Sequence, residues 1–341
     1  MRWGLLFLAI LFVVLCRACP PWAEGYARII YPGLSDILSA FSSIFPFSLE
    51  EVLIVVIILW MVLFPVWRRK RGGKWKTILG RELEMLAWVY VWFYLGWGLN
   101  YFRYNIYTRL QVVPAQYDEQ KFQDFLHTYT DSLNASYLPE VELSAEVIEK
   151  EVKEFYRGLP EEAGLTSPKK HQSPKFFTFT PLYSGVGVLG SMGPFFAEAQ
   201  LNRDLLPVQL PFTYAHEFSH LLGVSNEAEA NYWAYRACTE SDVPEMRYAG
   251  YFGLLPYVLS NASSLLSKEQ FQEWVNALRP EIIDAYNKKQ EYWRERYSPL
   301  IGKIQNVTYN WFLKGNRIPS GRKNYAEVIS LLLSLEKEKG E

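Results

Sequence analysis

An excess of charge of either sign is missing from this sequence. Its 35 Lys and Arg against 36 Asp and Glu leave a formal net charge of −1 over 341 residues. A globally basic chain is thereby excluded, and no nucleic acid partner is expected. Cysteine is nearly absent as well: Cys16, Cys19 and Cys238 cannot make a disulfide framework, and only Cys238 lies outside the apolar N-terminal part. Histidine occurs four times, so a pair of histidines at ligand spacing is informative. Internal repeats and low-complexity tracts are also lacking. What the chain has is apolar mass. Half the residues are apolar, 16% are aromatic and 21% are charged, which excludes a disordered or collagen-like chain and leaves room for membrane spans.

Three charge-free apolar runs, Trp3 to Cys16, Val52 to Trp67 and Met85 to Phe102, form the cores of expected spans at residues 3–19, 49–67 and 84–102. Each approaches the roughly 17 to 25 residues needed to cross a bilayer core. The first is short enough for a signal peptide, but Arg17 directly behind it makes a poor cleavage site, so it reads as an uncleaved anchor. Between the second and third runs crowd Arg68, Arg69, Lys70, Arg71, Lys74, Lys76 and Arg81, whereas Ala18 to Leu49 holds only Arg28. The positive-inside rule therefore places the basic loop in the cytoplasm and the chain beyond Tyr104 outside it. Residues 1–110 carry 12 Lys and Arg against 6 Asp and Glu, while 111–341 carry 23 against 30. Two kinds of segment follow: a membrane region to about residue 110, partnered by lipid, and a water-facing domain from 111 to 341.

In the second segment, Phe122, Phe125, Leu126, Tyr129 and Leu133 recur at helical spacing, as do Val147, Ile148, Val152, Phe155 and Tyr156. Short strands are expected at Phe176 to Thr180, Gly185 to Leu189 and Pro194 to Leu201, with helix returning at Thr213. The fold class is α+β, mostly α, with one small sheet.

The chemistry concentrates in His216-Glu217-Phe218-Ser219-His220, an HExxH motif on a helix expected to be capped by Thr213 and ended by Gly223. Residues i and i+4 differ by only about 40° around a helix. His216 and His220 can thus face one Zn2+ ion, with Glu217 beside them as general base toward a zinc-activated water. A third ligand is needed, and Glu227 and Glu229 both lie close by. Asn226 and Glu229 have the spacing of a capping box, which gives Glu229 a structural task. Glu227 shares a helix face with Ala230, Asn231 and Ala234, whose small side chains allow close approach, and is the preferred ligand; Glu229 is the alternative. Asn231, one turn on, is placed to hydrogen-bond a ligand. His127 and His171 sit in polar surroundings without a paired donor and read as surface residues. Asn134, Asn261 and Asn306 begin N-x-S/T triplets, which matter only in a glycosylating host.

Glu227-Ala-Glu-Ala-Asn231 resembles the ExxA(D/N) signature on the glutamate helix of gluzincin metallopeptidases. The run from His216 to Asn231, together with Trp97-Gly-Leu-Asn-Tyr101, Arg103, Tyr309-Asn310 and Leu313-Lys314, is similar to a bacterial membrane family known as domain of unknown function 3810. The resemblance implies a zincin domain, Glu227 as third zinc ligand, a location in the bacterial plasma or inner membrane, and a peptide or protein substrate held by an edge strand drawn from Gly185 to Leu201. It also implies a donor to the oxyanion of the tetrahedral intermediate, for which Tyr309 and Tyr325 are candidates. The gap between His220 and Glu227 is shorter than in most gluzincins, so substrate preference does not transfer. A catalytically silent relative whose groove binds a peptide or partner protein is the competing expectation. A channel or transport subunit would need ionisable residues buried in the spans, and the three apolar runs hold none.

Overall fold

The computed structural model describes residues 2–299, 302–303, 315–316 and 327–335; Tyr309 and Tyr325 lie outside them. The chain is mostly helical with one three-stranded sheet. The N-terminal half comprises α1 (Arg2–Ala18), α2 (Pro20–Gly25), a π-helical turn (Tyr26–Ile30), α3 (Tyr31–Ser43), α4 (Leu49–Lys70), α5 (Trp75–Gly96), a 3-10 turn (Gly98–Phe102) and α6 (Ile106–Leu110). Pro20 fixes the break after α1. Among the described residues, α4 is the helix long and apolar enough to cross a membrane; α1 and the Pro20–Ser43 segment pass that test only together and are bent by 109°.

Ser48 caps α4 by accepting the Glu51 amide at 3.1 Å, and Gly72, at φ +77°, supplies the left-handed turn that sends the chain back as α5. α5 begins earlier and ends earlier than the apolar run 84–102 suggested. It takes in Lys76, Arg81, Glu82 and Glu84 and stops at Gly96. A Cβ at position 96 would lie 2.7 Å from the Pro194 carbonyl oxygen, so the backbone needs glycine there to pack against the sheet. Arg2 pairs with Glu84 at 3.0 Å, and Arg17 lies over the Phe102 ring at 5.7 Å. These two contacts run α1 alongside α5 in the same direction.

The C-terminal half holds α7 (Glu119–Ser136), α8 (Ala145–Arg157), β1 (Lys175–Phe176), α9 (Thr180–Gly185), β2 (Gly190–Gly193), β3 (Glu198–Leu201), α10 (Leu210–Leu221), α11 (Glu227–Thr239), α12 (Pro244–Leu265), α13 (Lys268–Ala277), α14 (Pro280–Arg296) and α15 (Val328–Leu335). Asp118 and Ser144 cap α7 and α8. The sheet order is β1-β3-β2, with β1 parallel and β2 antiparallel to β3. β3 lies inside the expected Pro194–Leu201 and β1 meets the expected Phe176–Thr180 only at Phe176, while the middle strand falls at Gly190–Gly193 rather than Gly185–Leu189. Pro181 in a first helical turn makes Thr180–Gly185 a helix, and Gly187 at φ +73° turns the chain into β2.

α10 is buried on every side from Pro211 to Leu221 and forms the middle of the main core, packed by α8, α11, α12 and β3 around Phe218, Trp233 and Phe252. A second cluster, including Val13, Tyr31, Tyr94, Trp97 and Phe102, fills the N-terminal half.

Lys289 on α14 is buried with its ammonium over the rings of Phe252 and Tyr286, at 4.8 and 4.9 Å. Burial lowers its pKa to about 8. A lysine whose folded pKa is lowered destabilises the fold, a penalty that is fully present below pH 8 and is relieved as pH rises toward its unfolded pKa. Lys289→Met should therefore raise the midpoint of thermal unfolding at pH 7, by at most about 3 kcal/mol in stability terms. Melting curves of both proteins should converge between pH 8 and 10; a constant offset would contradict the burial argument.

Candidate metal centre

α10 starts one turn earlier than its motif suggested. Leu210 opens it and Pro211 stands in the first turn, so Thr213 lies inside the helix rather than capping it. It ends where Gly223, at φ +99°, lets the Val224 amide return to the Ser219 carbonyl at 3.1 Å. Asn226 then caps α11 by accepting the Glu229 amide at 2.9 Å, which sets Glu227 at its first position, facing α10. The Glu229 carboxylate does not complete a capping box. It turns away to the buried Arg109 guanidinium and to the Trp233 indole N–H at 3.1 Å.

His216, His220 and Glu227 converge as a buried group. The two Nε2 atoms are 3.2 Å apart, and Glu227 Oε2 lies 3.2 Å from one and 3.4 Å from the other. A tetrahedral zinc ion with ligands at about 2.0–2.2 Å separates neighbouring donors by roughly 3.3–3.5 Å. The triangle has that size, so the residues fit the ion. Their orientation fits as well. His220 Nδ1 donates to the Val224 carbonyl at 2.8 Å and His216 Nδ1 lies 2.8 Å from Asn231 Oδ1. In the neutral form that metal ligation requires, each ring would hold its proton on Nδ1 and direct the Nε2 lone pair toward the triangle. Asn231 is itself fully buried.

Electrostatics hold the group together. Burial alone would lower the His220 pKa, but the Glu227 carboxylate more than offsets it and raises it to about 9. Burial likewise opposes ionisation of Glu227, yet the two imidazoles draw its pKa well below the ordinary carboxylate range. Glu217, beside the triangle, is the opposite case: burial pushes its pKa up, and the imidazoles reverse only part of this. The floor under Glu217 is Gly190 of β2, where a Cβ would come within 2.5 Å of Glu217 Cγ. Gly190 thus makes the space that the carboxylate side chain occupies.

Beyond the Gly223 and Val224 amides, which return to the His220 and Ser219 carbonyls at 3.0 and 3.1 Å, the last carbonyls of α10 draw donors from outside the helix. Trp97 Nε1 donates to the His220 carbonyl at 2.8 Å, Tyr31 Oη to Leu221 at 2.7 Å, and Arg103 to Gly223 at 3.4 Å. All three come from the N-terminal half, and Arg103 is held in turn by Glu24 at 2.9 Å. Two residues missed by sequence reasoning belong to the surroundings. Tyr101 and Tyr257 have pKa values raised by burial first and then by the Glu227 charge. Nothing in their spacing marks them among 23 tyrosines. His127 is exposed and paired with Asp131, and His171 lies against Ser39 and Asp36. Neither approaches the triangle.

Fold and site together define a mostly helical chain with one small sheet and a buried two-histidine, one-glutamate cluster. It belongs to the family described as protein of unknown function (DUF3810), whose sequence profile matches residues 26–333. No curated protein and no solved structure matches it.

The purified protein should bind one zinc ion, lost on His216→Ala, His220→Ala or Glu227→Gln. Glu229→Gln should retain zinc but unfold more easily, by about 3 kcal/mol, because Arg109 loses its buried counter-charge. Elemental analysis with melting curves checks both. Retention of zinc by Glu227→Gln alongside loss by Glu229→Gln would reverse the ligand assignment.

Proposed function

We propose that the chain is a membrane-anchored zinc peptidase acting outside the cytoplasm. The observation that carries the reading is the donor triangle with Glu217 beside it and the edge strand β2 beneath Glu217. His216, His220 and Glu227 would hold the ion, which supplies Lewis-acid polarisation of a carbonyl and acidification of water near pH 7. A substrate chain lying along β2 pairs its backbone with Gly190–Gly193, which sets one peptide bond over Glu217. Glu217 takes the proton of the attacking water and returns it to the leaving amine nitrogen. Its burial supports this role, since a carboxylate with a raised pKa is the stronger base. Asn231 and the Val224 carbonyl keep the two imidazoles from rotating. Tyr101 and Tyr257, both buried within reach of the Glu227 charge, join Tyr309 and Tyr325, which lie outside the described residues, as candidate donors to negative charge at the site.

The family resemblance supports a zincin-type domain, and the basic turn of residues 68–76 supports the orientation. α4 enters from the outer side, α5 returns with α1 beside it, and everything beyond Tyr104 is extracytoplasmic.

Glu217→Gln keeps size and removes basicity. It should fold and bind zinc yet lose hydrolysis by about 10² to 10⁴-fold. The readout is the set of envelope peptides released by cells expressing either protein; equal cleavage by both would exclude Glu217 as the base.

Reporter fusions at Gly72 and Lys175 should report opposite compartments. A cytoplasmic signal at Lys175 would overturn the orientation.

A further inference from the structure

Three segments of the C-terminal and N-terminal halves converge on the first turn of α4. The Glu198 carboxylate accepts from Ser48 Oγ at 2.9 Å, the Leu49 amide at 3.0 Å and the Glu50 amide at 3.1 Å. It thus sits on the positive end of the helix. Lys175 pairs with Glu198 at 2.7 Å and reaches the Ser42 and Phe47 carbonyls at 2.7 and 3.0 Å. Glu51 accepts the Thr178 and Phe179 amides at 2.8 and 3.2 Å, and Glu50 accepts the Phe195 amide at 3.2 Å. The polar groups of this junction are therefore turned inward and paired.

The apolar side chains on the same segments are turned the other way. Phe41, Ile44, Phe47, Phe179 and Leu182 are exposed by 42 to 72%. Phe41 packs on Phe45 at 5.6 Å, Phe45 on Phe47 at 5.7 Å, and Phe41 on Phe196 at 6.5 Å, so the aromatic side is continuous. A water-facing surface of this kind is unfavourable. The occupant follows from continuity. α4 leaves this turn with Val52, Val55, Val56, Leu59 and Val62 exposed, so the medium that covers its flank begins where the aromatic side ends.

We propose that these residues form a collar that sinks into the headgroup and upper acyl layer of the leaflet that α4 enters, seating the domain on the bilayer. The proposal rests on α4 being a membrane span and is independent of peptidase activity. A second copy of the chain or a soluble protein on this face are the competing occupants.

The test is lipid quenching of a fluorophore on the full chain in phosphatidylcholine–phosphatidylglycerol vesicles. Cys19 is replaced by Ser; Cys16 and Cys238 are buried and stay. Bimane is attached at Ile44→Cys, Phe179→Cys or Leu182→Cys, with Val56→Cys in α4 and the exposed His127→Cys on α7 as references. Phosphatidylcholine brominated high on its acyl chains should quench the three collar labels at least twofold more than the His127 label, at any protein-to-lipid ratio. If Val56 is quenched and the collar labels match His127, the collar is wrong while the span stands. If Val56 is unquenched too, the span reading fails and takes the collar with it. Shielding of the collar labels from aqueous iodide only at high protein-to-lipid ratio, without lipid quenching, would assign the face to a second copy and overturn the proposal.

Discussion

The closure of the last turn of α10 is the constraint on which the rest of the structure depends. A helix that is buried on all sides cannot leave its final carbonyls to water, and an unpaired buried carbonyl costs free energy comparable to a lost hydrogen bond. Here the donors come from Trp97, Tyr31 and Arg103, at the ends of the helices that precede the C-terminal half. Beside the local Gly223 and Val224 amides, the helix carrying both histidines is therefore finished by residues more than a hundred positions earlier. Cutting the chain near residue 110 would remove these three donors, so the N-terminal half is part of the cluster's framework.

A second consequence concerns charge. Two carboxylates and two imidazoles share a space that water scarcely enters, and the burial cost of each is offset only by its neighbours. Glu227 is bound to the imidazoles and is strongly stabilised as the anion. Glu217 feels the same positive neighbourhood more weakly and keeps a raised pKa. Divergent environments for two acids a few ångströms apart are the condition for one to hold a cation and the other to move a proton.

Much of this was legible in the sequence, and the boundary is physical. The meeting of His216 and His220 is a property of one helical turn, and the separation of Glu227 from Glu229 follows from the capping geometry of Asn226. Both are local. The strands were legible only in part: β3 falls inside the expected Pro194–Leu201, but β2 is Gly-Ser-Met-Gly, and only its partner β3 and the close approach to Glu217 make it a strand. The stop of α5 at Gly96 is set by the Pro194 carbonyl, and the nearness of Tyr101 and Tyr257 to Glu227 is set by packing across elements far apart in sequence. Arg109, which claims Glu229, lies 120 positions away from it.

β2 has one more property. One of its ends lies against Glu217, and at the other a Cβ on Gly193 would stand 3.1 Å from Glu50 in the first turn of α4. Four strand residues span only about 10 Å, and a paired strand is stiff along its length. The strand is thus a short strut between the foot of α4 and the floor of the His216–His220–Glu227 cluster. Any tilt of α4 is delivered as a displacement beneath Glu217. Under the proposed membrane placement of α4, the thickness and lateral pressure of the lipid would become mechanical inputs to the geometry of the cluster.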